Sequence, residues 1–476
     1  MARIGATLSG VERMLLNRLA ESQAAVTLNN LHLATEKKIN FPSDDPTAFL
    51  AISRFQTDLK VVTSAMANAT AATSMVGKAQ TTIGLIRTQL TAIRNILLTE
   101  DTPEKRAAAQ VKIDNAIDQI NQLAGADIDG RRLLDGSANF DISGRNPSQV
   151  SDVEVYAIPG DDHGAANPAS VIAGTVLDVA TQAQLTYTGS GGKATANATF
   201  TLTGDLGSAE IEVVLDQPLE GDGSVAEAIN AQSHLTGVVA TVAGNTLTLS
   251  SVHYGTAASV AVTDVVGTFV VSGGHGDGTA NGTDAVAQIN GLTYTGSGSR
   301  FTVNENGFRY AIEFAPGYEG NLSPISVSGE ALAFALSTTV GRPSRLAIPG
   351  LQPNRLGGLS GTLNQIQSGG PYSGLDGNTS RAIRIVDEAI GDVDRVKGNV
   401  DGFYNAAITS SSELLADLET NLEDSIAQTD GFNQSEEELL LAKNEQLVYN
   451  GLAALSILGQ QRTAMVQILQ KIAGLI

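Results

Sequence analysis

The side chains able to do chemistry are few and scattered. The five histidines fall at His32, His163, His234, His253 and His275. The run "DDH" at 161–163 brings two carboxylates beside an imidazole, but in a Gly/Ala-rich stretch with no second cluster at ligand spacing, so it reads as an exposed turn. "GGHGDGTANGTD" (273–284) is close to a glycine–aspartate calcium loop, yet its spacing is off by one residue and it does not repeat; it reads as a linker. Serine is abundant without a G-x-S-x-G elbow, and neither a P-loop nor a dinucleotide fingerprint occurs. Cysteine is absent, which removes disulfides, thiol nucleophiles and thiolate metal sites. The expectation is a protein that is not an enzyme and holds no cofactor and no metal.

What the residue spacing does encode is mechanical. "KKINFPSDDPTAFLAI" (37–52) separates two long stretches of helical periodicity. Pro42 disfavours the helical conformation at Phe41, so a helix arriving from the N-terminal side should stop there. Asp45 followed by Pro46 reads as an N-cap and the first helical position, and Asp44 adds negative charge near the next helix's positive end. The stretch reads as a stop followed at once by a start. Replacing Pro42 and Pro46 with alanine is expected to let the two helices fuse and to impair assembly.

Composition sets the limits around this joint. The 476 residues carry 50 acidic against 29 basic side chains, a net charge of −21, which argues against bulk electrostatic binding to nucleic acid or an anionic membrane. No uncharged apolar run is long enough to cross a bilayer, and the N-terminus lacks the pattern of a cleaved secretory signal. Aromatics are 4% with no tryptophan, so small apolar residues must supply the packing.

The texture divides into helix, sheet, helix. Residues 1–40 place Ile4, Leu8, Val11, Leu15, Leu19, Val26 and Leu33 at helical spacing. Residues 47–98 continue with Phe49, Ile52, Phe55, Leu59, Val62, Met66, Ile83, Ile86, Leu90, Ile93 and Leu97. A helix of that length, about 75 Å, needs a partner along most of its extent. From 141 to 370 short alternating runs such as "ATFTLTG", "TLTLSS" and "FRYAIEF" predict antiparallel strands. "LTYTGSG" occurs at 185–191 and again at 292–298, which predicts two related β modules, about 180–272 and 280–345. Helix returns to the end, broken by "TDGFNQSEEELL", where Gly431 interrupts and Ser435 with Glu438 reads as a capping box.

The fold class is therefore α+β: a long α-helical bundle formed by both termini, with an inserted β-rich outer region. The parts are 1–45, a terminal helix; 46–140, the N-terminal part of the helical core; 141–370, the β-rich region; 371–430, the C-terminal part of the core; and 431–476, a second terminal helix. Both terminal helices carry broad apolar faces, including Leu447, Leu452, Leu455 and Leu458, which a two-helix pair cannot bury. Self-assembly is the expected use of those faces.

The joints carry a resemblance as well. "KINFPSDDPTAFLAISRF" resembles the N-terminal segment of the bacterial flagellin superfamily, with Lys38, Ile39, Asn40, Asp44, Asp45, Arg54 and Phe55 on its pattern. "IDQINQLAGADIDGRRLLDGS" (117–137) is similar to the stretch where that family's helix ends. "LLAKNEQLVYNGLAALSILGQQ" looks like its C-terminal helix, with Lys443, Gln446, Leu447, Ala453, Ala454 and Gln460 on matching positions. Residues 228–262 resemble a β module inserted in flagellins and hook-associated proteins. The resemblance implies a structural subunit of the extracellular bacterial flagellum that is exported without a cleaved signal peptide. Its implied partners are copies of itself in a helical filament, the flagellar export apparatus and a chaperone, and hook-associated proteins, with no nucleic acid and no membrane insertion.

It also implies an assembly role for Ile39, Asn40, Pro42, Asp44, Asp45 and Pro46. Three departures stand out. "PSDDP" is closer to the hook–filament junction proteins, which makes a junction adapter the alternative reading. The last sixteen residues differ from the usual flagellin ending. Glu36 stands where the family usually has glycine, so the first helix is expected to run further before the joint. Arg94 sits where some members bind an innate immune receptor, but Asn95 replaces an acid there, so an ordinary bundle-surface arginine is expected. An adhesin or carbohydrate-binding protein with a helical stalk is the reading from another class.

Overall fold

The computed structural model describes residues 10–99, 103–158, 170–329, 331–339, 343–373 and 379–472. Ile4, Leu8, His163 and the "DDH" run lie outside the described residues. Eight α-helices occur among those described: α1 (Gly10–Thr35), α2 (Pro46–Thr99), α3 (Pro103–Ala124), α4 (Val225–Ala231), α5 (Ser233–Thr236), α6 (Thr379–Phe403), α7 (Ser410–Asp430) and α8 (Gln434–Ile472). A π-helical turn, Tyr404–Thr409, joins α6 to α7. Long helices at both ends flank a β-rich middle, the α+β arrangement the periodicities require.

The chain forms two compact units, Met1–Met66 with Glu413–Ile476, and Ala67–Ser412. The division falls inside α2 and at the start of α7, not at 45/46 and 430/431 where the sequence places its domain boundaries. The reason is packing: Val62 and Ala65 of α2 bury against Leu415 of α7, so the near ends of both helices go with the terminal pair. In that first unit α1 and α8 run antiparallel, with Glu12 facing Arg462 at one end and Asn29 facing Glu437 at the other.

In the second unit, α2 buries Ala69, Ala72, Val76, Ala79, Ile83, Ile86, Leu90, Ile93 and Leu97 at alternating intervals of three and four. That is a sustained heptad seam, and its facing helix is α6, which buries Val386, Ala389, Val393, Val396 and Val400. The alanines belong to the same row as the isoleucines and were not recognised as core from the sequence. Three polar rungs brace the seam: Gln80 Nε2 donates to Asp401 Oδ1 (2.8 Å), Arg87 pairs with Asp394 (2.6 Å) and Arg94 with Asp387 (2.5 Å). The intervals are seven residues in opposite directions, as an antiparallel pair demands.

The β-rich middle departs from the two successive modules expected. One lobe, 182–282, is continuous. It has two four-stranded antiparallel sheets, ordered Val238–Ala243, Thr246–Ser251, Gln184–Thr188, Val271–Ser272 and Thr279–Asn281, Ser259–Gly267, Ala198–Gly204, Ser208–Val213. Their core centres on Phe269, stacked between Tyr187 and Phe200 at 4.0 and 4.4 Å. The second lobe is not 280–345 but is assembled from 140–180 and 284–331, so the first is inserted into it. Strand Val150–Ala157 pairs with Phe308–Phe314, and Gly174–Asp178 with Val286–Ile289.

The "LTYTGSG" repeat explains the misreading. Both copies make a strand and a tight turn, closed by Ser190–Lys193 and Ser297–Arg300 bridges, with Gly191 and Gly298 at φ 57° and 63°. The first copy lies inside a sheet with Leu185 fully buried; the second is an edge strand with Leu292 half exposed. The repeat therefore encodes a local shape, not a module. A further correction concerns 332–366. Leu332, Leu346, Ile348, Leu351, Leu356, Leu363 and Ile366 bury in the helical core, so the β-rich outer region ends well before 370.

Candidate functional site

The candidate site lies wholly in the first unit: the corner between α1 and α2, its contacts with α7 and α8, and the face of the α1–α8 pair. The helix stop differs from expectation. α1 ends at Thr35, well before Phe41, because Glu36 takes the left-handed conformation at φ 52°. Lys37 N then donates to His32 O (3.2 Å), the closing bond of a Schellman-type end, and Thr35 Oγ1 donates to Leu31 O (2.8 Å). Glu36 occupies the glycine position without extending the helix. A left-handed residue other than glycine is uncommon, which marks this as a position the surroundings over-determine.

Residues 36–45 are therefore a loop, so the stop and the start are separated rather than adjacent. Asp44 Oδ2 accepts from Asn40 N (2.9 Å) and Phe41 N (2.8 Å), tightening the loop itself; it does not serve the dipole of α2. Those two backbone bonds hold its carboxyl below the usual aspartate value, with a small contribution from His32. Asn40 Nδ2 donates to Lys37 O (2.9 Å). Asp45 Oδ1 accepts from Thr47 N and Ala48 N (2.9 and 3.0 Å), making it the N-cap, with Pro46 as the first residue of α2. Pro42 lies in the turn closed by Asp44 N to Phe41 O (3.0 Å), and Ile39 is half-buried.

The residue that ties this loop down was missed by sequence reasoning. Asp430, the last residue of α7 and 8% exposed, accepts from Lys38 N and Ile39 N at 2.9 Å each. The only local signal was its place before Gly431, which closes α7 at φ 64°. Two residues on, Asn433 caps α8: its Oδ1 accepts from Glu436 N (3.3 Å) and its carbonyl from Glu437 N (3.0 Å). Ser435 lies inside the helix, so the cap falls at Asn433, two residues before the expected Ser435. Glu437, buried in the first turn of α8, accepts from Asn29 Nδ2 (2.6 Å) and lies 3.2 Å from His32 Nδ1, at ion-pair distance but not in hydrogen-bond alignment. Asn444 Nδ2 donates to Asn29 Oδ1 (2.9 Å). A buried polar layer of this kind fixes the register of a helix pair.

The remaining expected residues lie on α8. Leu455 and Leu458 are partly buried, whereas Leu447 and Leu452 are about half exposed. Leu439, Tyr449, Ile457, Met465, Ile468 and Leu469 are also exposed, on several sides of α8, and α1 adds Val11, Met14 and Leu28. The corner and the exposed apolar residues are thus separate features.

Residues 11–139 match the family model of the bacterial flagellin N-terminal helical region. That stretch is flagellin-like. The match spans nearly all of α1, the 36–45 loop, α2 and α3, and leaves α6 and Asp430 outside it. No curated protein matches the chain. Among solved structures, the flagellar junction protein FlgL from Legionella pneumophila is 13% identical over 81% of this chain and 100% of that one, with a TM-score of 0.28. FlgL from Xanthomonas campestris is 13% identical over 80% and 99%, TM-score 0.26. The flagellar cap protein FliD (D1-D2-D3 domains) from Escherichia coli is 15% identical over 53% and 64%, TM-score 0.27. These likenesses are too loose to carry a residue's role to this chain. Among the described residues no helix is long and apolar enough to cross a membrane.

Proposed function

We propose that the chain is a structural subunit of the extracellular bacterial flagellum, which self-assembles through α1 and α8 into a helical filament. The observation that carries this reading is the number of large apolar residues exposed around the α1–α8 pair, with Leu439 71% and Tyr449 70% exposed. Apolar surface of that extent calls for a covering partner, and a second copy offers a surface of the same kind. The corner, locked by Asp44, Asp45 and Asp430, sets the angle between the polymerising pair and α2. In this reading the export apparatus, a chaperone and hook-associated proteins meet the same terminal helices before or at the end of assembly.

The proline-flanked corner, Pro42 to Pro46, favours one alternative, a hook–filament junction adapter. Seeded polymerisation of the purified chain, followed by electron microscopy across a concentration series, separates the two. Long tubes extending from seed ends above a critical concentration support the filament subunit. Capped seeds or rings support the adapter, and a chain that stays monomeric with and without seeds overturns both. Leu452→Asp with Leu469→Asp should abolish growth while leaving the fold intact.

A further inference from the structure

A cleft of about 440 Å³ opens in the second unit where three layers meet: the inserted lobe, the lobe that carries it, and the helical core. Val239 and Ser233 come from the first layer, Pro316 from the second, and Ser360, Arg381 and Arg384 from the third. In a chain of net charge −21, the charged residues among the described ones lining this cleft are the two arginines, with no described carboxylate among them.

Neither arginine is neutralised by an ion pair among the described residues. Arg384, 9% exposed, donates from Nε to Ser360 Oγ (3.3 Å) and from Nη1 to Ser233 Oγ, both uncharged acceptors. Arg381 donates from Nε to Ser360 O (2.8 Å) and lies 4.0 Å over the Tyr372 ring. A guanidinium has five N–H donors, so most of this pair's capacity is unspent. Glu388, one turn further along α6, exerts a compensating charge on Arg384, but its oxygens accept from Ser360 N (3.1 and 3.2 Å). Burial holds Arg384 below the ordinary guanidinium value, with Arg381 adding to the effect and Glu388 opposing it. A buried cation without a direct counter-charge is costly, and a cleft-bound anion removes that cost.

We propose that this cleft binds a small molecule through an oxyanion, carboxylate or phosphate, held by Arg381 and Arg384. The planar donor forks suit two-point recognition of such groups. The volume accommodates a ligand of monosaccharide size, and Tyr254 and Gln182 on the lobe side supply an aromatic wall and an amide. A ligand there touches all three layers and so stiffens the attachment of the lobes to the core.

The test is calorimetric titration of the full chain, held below its assembly concentration, with inorganic phosphate, sulfate and glucuronate, against sodium chloride at matched ionic strength. Saturable binding of any of the three is expected, with at least a tenfold loss in Arg381→Gln. Preference for glucuronate identifies a carboxylate ligand, and preference for phosphate or sulfate a phosphoryl-type one. Arg381 is partly exposed, so its variant tests the site even if Arg384→Gln does not fold. A response no larger than that to chloride, or unchanged binding by Arg381→Gln, overturns the proposal.

Discussion

Replacing Asp430 with alanine tests the corner at its least local contact. The carboxylate holds Lys38 N and Ile39 N at 2.9 Å each, from a position 8% exposed. Hydrogen bonds to a charged group contribute roughly 1.5–3 kcal/mol each. Lys38 is exposed and Ile39 half-buried, so water recovers part of the loss and the lower end applies, about 3 kcal/mol for both. A carboxylate at the C-terminal end of α7 is disfavoured by the helix dipole, which returns up to about 1 kcal/mol when it is removed. The net is about 2 kcal/mol, or roughly a thirtyfold change in the local opening equilibrium at 1.36 kcal/mol per decade. Hydrogen–deuterium exchange of a peptide covering 36–41 should accelerate by that factor in Asp430→Ala and by less in Asp430→Asn, which keeps one acceptor oxygen. Exchange within threefold of the parent in the alanine variant would refute the claim that Asp430 anchors the loop.

Three other perturbations have defined outcomes. Because α1 stops at Glu36, Pro42→Ala with Pro46→Ala should not fuse α1 to α2; circular dichroism should show no gain of helix, whereas Asp45→Ala should cost about 1 kcal/mol by denaturant melting. Asp392, raised to about 6 chiefly by burial, is more stable protonated in the fold. Its contribution is present below the ordinary aspartate value and lost as pH rises through about 6, so Asp392→Asn should stabilise the second unit at pH 7, on the order of 2 kcal/mol, and lose that advantage near pH 4. Equal effects at both pH values would contradict it. At Gly282, an added Cβ would sit 2.2 Å from Thr181 O, so Gly282→Ala should loosen the neck of the inserted lobe, seen as protease cleavage near 181 and 283.

Much of this architecture was legible because it is periodic or punctuated. Ile83, Ile86, Leu90, Ile93 and Leu97 announce a buried helix, and Asp45-Pro46 announces its neighbour's start. The alanines at 69, 72 and 79 continue the same seam but carry little hydrophobic signal of their own. The end of α1 was hidden because Glu36 does with a side chain what glycine ordinarily does, stabilised by the bonds around it. Asn433 and Ser435 are both good caps, and only the backbone decides between them. Asp430 illustrates the deeper limit: a carboxylate reaching backbone N–H groups 391 and 392 positions away leaves no pattern in the sequence. The nested lobes were misread for a related reason, since a strand-and-turn repeat fixes local shape without fixing which strands become neighbours.

The nesting has a consequence for how such a chain can change. The strands entering and leaving the inserted lobe meet at Thr181 and Thr283, whose hydroxyls lie 2.8 Å apart while Thr181 N donates to Thr283 O (2.9 Å). The carrying lobe is closed likewise, strand Asp141–Ser143 pairing with Ile325–Ser328. Each lobe thus begins and ends at a single strand spacing, like a cassette on a clip. Recombination that replaced 182–282 with a domain whose termini lie equally close would leave the carrying lobe's strand pairing in place, but would have to rebuild the lobe's contact with α6, where Arg384 donates to Ser233 Oγ and Ser380 Oγ to Ala231 O. Variation in the inserted lobe can therefore be exchanged through that contact with α6, while α1 and α8 stay under their own, separate constraints.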